Sequence, residues 1–162
     1  MNSRERVLKA LRHQEPDRVP LDCGACRSST ISAVAYGRLK RRLGILGGTT
    51  ALYDVVQHQA MPEQWYLDRF GVDVVDVTRE YCLDTANWRD WELPDGQMAR
   101  MPPWIADRLE RDPAGGWVYR DADGDVLGRM PRGGYFFDQV RWPLMGVGPD
   151  EYRRAELYTP KG

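Results

Sequence analysis

Two prolines four residues apart, Pro16 and Pro20, fix how the start of this chain can fold. Proline lacks a backbone N–H and drives the residue before it out of the helical region, so no helix that begins near the N-terminus passes Glu15. Asn2 can cap such a helix, with Glu5 three residues on reaching back to the cap. Val7, Leu8 and Leu11 recur at helical spacing and give it one apolar face, leaving Arg4, Arg6, Lys9 and Arg12 in water. Pro20 then places Arg18 to Asp22 at a strand start or a sheet edge. The small, polar run Cys23 to Thr30 that follows leads into a second helix, capped within Ser28–Thr30 and ended by Gly44. A strand that feeds a helix through a loop marks an α/β chain, and such loops carry chemistry. Asp22 to Thr30 is therefore the first place to look for a site.

Further along, Tyr53 to Arg69 reads as helical, restarting at Pro62, with Gly71 as its stop. Val72 to Thr78 is β-branched and reads as a strand, expected parallel to Val19–Cys23. Beyond Tyr81 tryptophans and prolines are spread among short polar pieces. Two hairpins are legible there. One runs from Trp91 to Met101 around Pro94-Asp95-Gly96, the other from Trp117 to Met130 around Asp121–Gly124.

Four pieces in this order resemble the uroporphyrinogen decarboxylase superfamily: SRERVLKAL…EPDRVPLD, Tyr53-Asp54-Val55, PEQWYLDRFGVDVVDV (62–77) and RMPRGGYFFD (129–138). The branch most similar is that of its corrinoid-dependent methyltransferases and decarboxylase-like members. The resemblance implies the N-terminal portion of a (β/α)8 TIM barrel, interrupted by a β-rich insertion over about residues 82–138 that would form a lid or wall. Such barrels take about 250 residues, so a chain of 162 is expected to be incomplete, with a second chain as one way to complete it.

The same resemblance nominates site residues. True decarboxylases carry arginines in an RQAGRY-like loop after the first strand, where the guanidinium fork pairs with substrate carboxylates. Here that motif is absent, and Asp22 and Arg27 stand in its place as candidate substrate-binding residues. Laying RFGVDVVDVTRE (69–80) over the decarboxylase segment RFPLDAAIIFSD matches Arg69, Phe70 and Asp73, and puts Glu80 at the catalytic aspartate. Asp73, near the strand start, reads as structural. The implied activity is that of a fragment of a corrinoid-dependent methyltransferase, with decarboxylation of a tetrapyrrole or a non-catalytic interaction module as alternatives. Zinc and a corrinoid belong to full-length methyltransferase relatives. No metal ligand is assigned to this chain, and its partner would be a small molecule or a corrinoid protein.

Other patterns carry blander readings. Cys23-Gly24-Ala25-Cys26 has the spacing of half a zinc site or a redox pair. A second such pair is absent and no helix N-terminus directly follows, so it reads as small residues lining a pocket floor. Gly47-Gly48-Thr49-Thr50 lacks the lysine of a phosphate loop and reads as a connection. Asp121–Asp125 resembles a calcium loop, but its glycine comes too early and Arg132 holds position twelve. His13 and His58 read as surface or packing residues, and Arg38–Arg42 as a solvated helix end. A net charge of −1 argues against a nucleic-acid or membrane-surface role, and three cysteines suit reduced thiols in the cytoplasm.

Overall fold

The capping box at Asn2 forms: its Oδ1 accepts the Glu5 N–H at 2.8 Å, and Glu5 returns the bond to the Asn2 N–H at 3.1 Å. It opens α1 (Ser3–Leu11) in a computed structural model that describes residues 1–76, 86–142, 145, 146 and 148. Helix α1 ends in a pair of reversed bonds, Gln14 N–H to Lys9 O and His13 N–H to Ala10 O, with His13 left-handed at φ 55°. Helix α2 (Ala33–Arg42) starts later than the Ser28–Thr30 cap expected from sequence. Thr30 to Ser32 is held extended instead, bonded through Thr30 Oγ1 and Ile31 to Ala60, so Ser32 becomes the cap.

The segment read as a helix from Tyr53 is a hairpin, β1 (Ala51–Asp54) against β2 (Gln59–Met61). The Asp54 carboxylate accepts the Gln57 N–H at 2.7 Å, and His58 closes the turn at φ 48°. Helix α3 (Gln64–Phe70) follows and stops at Gly71, left-handed as expected. Strands β3 (Arg89–Glu92) and β4 (Met98–Met101) form the first hairpin foreseen, and β4 adds to β1 through Ala51–Arg100, giving the order β2-β1-β4-β3. Leu52, Ala60 and Met101 are buried in this sheet, with Tyr36 of α2 also fully buried.

The chain divides into two units, Met1–Pro103 and Trp104–Gly162. A short helix, α4 (Pro103–Ala106), falls at the division. The second unit is an antiparallel sheet of β5 (Leu109–Arg111), β6 (Trp117–Arg120), β7 (Val126–Met130) and β8 (Asp138–Gln139) in sequence order. Its β6–β7 turn is the Asp121–Asp125 run. Buried Asp121 accepts the N–H groups of Asp123 and Asp125, so its carboxylate serves the turn.

This architecture overturns the barrel. Among the described residues there are four short helices and two four-stranded sheets, and every strand pairing except β1–β4 is antiparallel. No alternating strand–helix repeat is present among them. Of the two segments expected to be barrel strands, Val19–Cys23 and Val72–Thr78, the second is described as far as Asp76; among the described residues they run parallel and meet in the single bridge Asp22–Val74. Two local causes keep a ladder from growing. Pro20 has no N–H to give, and the Leu21 N–H goes to the Asp73 side chain rather than to a strand. The expected β-rich insertion over 82–138 is likewise shared between the units: its first hairpin belongs to the sheet of β1, its second to the second unit.

Candidate functional site

The loop after the Asp22 bridge is an ordered turn system. Asp22 Oδ1 accepts the Ala25 N–H at 3.0 Å and the Ser29 hydroxyl at 3.1 Å. Gly24, at φ 99°, lets its N–H reach Ser29 O at 2.5 Å, and Ser29 N–H returns to Cys26 O at 3.2 Å. Asp22 therefore organises the loop through its own carboxylate. The arrangement presents two thiols in different settings. Cys26 is exposed, with Sγ 3.5 Å from Ser29 Oγ. The Ser29 hydroxyl draws that thiol below its ordinary range, with backbone N–H groups of Ser28 and Ser29 assisting. Cys23 is half-buried, with Sγ 3.6 Å from the Tyr66 hydroxyl. Burial and the Cys23 thiol push the Tyr66 phenol up to about 12, so it stays protonated and able to donate.

Of the residues nominated from sequence, Asp22 and Arg27 are on this loop, Arg27 at its exposed turn. Glu80 lies outside the described residues, as do Cys82 and Thr78. The chain runs in the same direction through both sides of the Asp22–Val74 bridge, so the Cys23–Thr30 loop and the residues that follow Val74 leave it at one end.

Asp73 is structural, as expected. Its side chain is inaccessible to solvent and takes Arg6 Nη1 at 2.5 Å, Arg18 Nη1 at 2.6 Å and the Leu21 N–H at 2.9 Å. Arg6, read as wet, is instead buried and bridges Asp73 to Asp17 at 2.7 Å. Burial alone would raise the Asp73 carboxyl. The Leu21 N–H, Arg18, Ser3 and Arg6 outweigh it and hold the group well below the carboxylate range.

A second polar centre escaped the sequence. Glu63, the N-cap residue of α3, turns its carboxylate away from the helix end. Oε2 takes Lys40 Nζ at 2.7 Å, the Tyr36 hydroxyl at 3.0 Å and Trp65 Nε1 at 3.0 Å. Burial pushes the Glu63 carboxyl up, but Lys40, Trp65 and Tyr36 bring it below its ordinary value. Burial also raises the Tyr36 phenol far above its own. Lys40 is thus buried, where the run Arg38–Arg42 suggested a solvated helix end. The partners come from α2, 23 and 27 residues before Glu63, so no local spacing announces them. His58 is a packing residue. It is fully buried, and its Nε2 accepts Trp91 Nε1–H at 3.1 Å, which leaves the ring proton on Nδ1.

Among the described residues no group of three or more His, Cys, Asp or Glu side chains is placed to hold a metal ion, so they do not fit the zinc of the methyltransferases. No described helix is long and apolar enough to cross a membrane. Compared with protein-family models, curated proteins and solved structures, the chain matches none of them.

Proposed function

We propose that this chain is a fragment of a uroporphyrinogen decarboxylase-like enzyme of the corrinoid-dependent methyltransferase type, with the Asp22–Ser29 loop facing its substrate. The observation that carries this reading is the parallel bridge Asp22–Val74. It joins EPDRVPLD to RFGVDVVDV, two pieces of the resemblance, with both segments running the same way. In this reading Asp22 fixes the loop through Ala25 and Ser29, Arg27 orients an anionic group of the substrate, and Glu80 supplies a carboxylate. The missing RQAGRY-like arginines favour methyl transfer over decarboxylation. The described residues do not build a metal site of three or more His, Cys, Asp or Glu side chains.

Glu80, a carboxylate at the position of the decarboxylase aspartate, favours the second reading, decarboxylation of a tetrapyrrole. One experiment separates the two. A protein carrying this chain and any in-frame continuation is assayed with methylcobalamin, a thiol and zinc, and separately with uroporphyrinogen. Thiol methylation that drops about 100-fold or more in Glu80→Gln supports the first reading. Loss of carboxyl groups with the same sensitivity supports the second. Activity in neither assay sinks both.

A further inference from the structure

A cavity of about 410 Å³ opens beside the C-terminal end of α2, in the size range of small-molecule sites. Lys40 and Arg41 of α2, Gly48 and Thr49 of the following loop, and Asp90 and Arg100 of the β3–β4 hairpin line it. Its charges do not cancel. Lys40 is matched by Glu63 and Arg100 by Asp90, whose Oδ1 lies 3.4 Å from Nε. Arg41 donates instead to the neutral Gln97 Oε1 at 2.6 Å and has no carboxylate partner among the described residues. Arg100 Nε is buried and makes no hydrogen bond among them either.

A helix C-terminus would ordinarily repel an anion. Here three of the last four carbonyls are already used: Leu39, Lys40 and Arg41 accept the N–H groups of Leu43, Ile45 and Gly44 at 2.9 to 3.1 Å. The walls are also fixed before any ligand arrives. Gln97 Nε2 donates to Val34 O at 3.2 Å, and α2 comes so close that a Cβ on Gly37 would sit 2.1 Å from Gln97 Oε1. On the other side Gly48, at φ 76°, presses on Glu63, where a Cβ would lie 1.7 Å from Oε1. Successive backbone N–H groups in a turn with one left-handed residue form an anion-binding concavity.

We propose that this cavity binds a small oxyanion, a carboxylate or a phosphate monoester, with Arg41 as its charged contact and the Gly47–Thr49 segment as its backbone cradle. Guanidinium recognises both anions through the same paired donors. The site is separate from the Asp22 loop and does not depend on the methyltransferase reading.

Amide NMR of the whole chain, titrated with inorganic phosphate and separately with acetate, tests this. Saturable shifts at Gly47, Gly48 and Thr49, weakened by added salt, are expected with at least one probe, and the probe that saturates identifies the anion class. Arg41→Gln should raise that dissociation constant about tenfold or more. Arg42→Gln, exposed on the same turn of α2 and not lining the cavity, should leave it unchanged. Shifts that stay linear with both probes, or equal binding in Arg41→Gln, would overturn the proposal.

Discussion

The Asp73 carboxylate accepts the Leu21 backbone N–H at 2.9 Å, so a side chain occupies the place that a neighbouring strand would take. The same carboxylate gathers Arg6 and Arg18. Asp73→Ala removes these contacts and leaves buried Arg6 with only Asp17 and the Met1 carbonyl. We expect a loss of about 3 kcal/mol in urea unfolding, since breaking a buried, hydrogen-bonded pair costs more than the pair itself is worth.

Acid should reveal the same cluster. Asp73 is held below the ordinary carboxylate range by Leu21, Arg18 and Arg6, and Asp17 by the Arg6 hydrogen bond above all. A carboxylate depressed in the folded state contributes stability that is fully present above its unfolded pKa of about 3.9 and lost as pH falls toward the folded value. Thermal melts should change little between pH 7 and 5 on this account and fall steeply below about pH 4. Asp73→Asn should flatten that acid slope, and an unchanged slope would count against the assignment.

His13 holds the left-handed position that ends α1, where glycine carries no Cβ penalty. It is exposed. His13→Gly should therefore raise stability by about 0.5 kcal/mol, once the extra freedom of glycine in the unfolded chain is set against the relieved strain. Paired chemical unfolding curves would show it.

Gly48 behaves in the opposite way. Its φ is 76°, and a Cβ there would meet a Glu63 carboxylate oxygen at 1.7 Å, so alanine forces the Glu63 carboxylate to shift. Gly48→Ala should cost about 2 kcal/mol and disturb the Lys40–Glu63–Tyr36 contacts. A shifted Tyr36 absorbance titration would report the second effect.

What could be read from the sequence was local. Asn2 and Glu5 announce α1, Gly71 ends α3, and Asp-Gly turns mark both hairpins. Reading failed where a partner was distant or a side chain overrode the backbone pattern. Val55, Val56 and Ala60 have helical spacing, yet one hydrogen bond from the Gln57 N–H to the Asp54 carboxylate turns the chain back on itself. Arg6 matches the wet face of α1 by period, but Asp17 and Asp73 draw it inside. The candidate site was legible to the same degree. Asp22 and Arg27 share a loop, but nothing in the spacing of Asp22 foretold that it would spend its carboxylate on Ala25 and Ser29. The Glu63 centre, assembled from two helices, left no local trace.

The reach from Arg6 to Asp73 spans 67 positions, and this sets an order of events during synthesis. Helix α1 has nine residues, too few to be stable alone in water. Its Arg6 leaves the ribosome 67 residues ahead of Asp73, so this anchor cannot form until the later segment has emerged. At typical elongation speeds of about 5 to 20 residues per second, Arg6 waits roughly 3 to 13 seconds for Asp73. Throughout that interval the Arg6 guanidinium has no Asp73 to anchor it, so α1 is held by its capping box and the Asp17 contact.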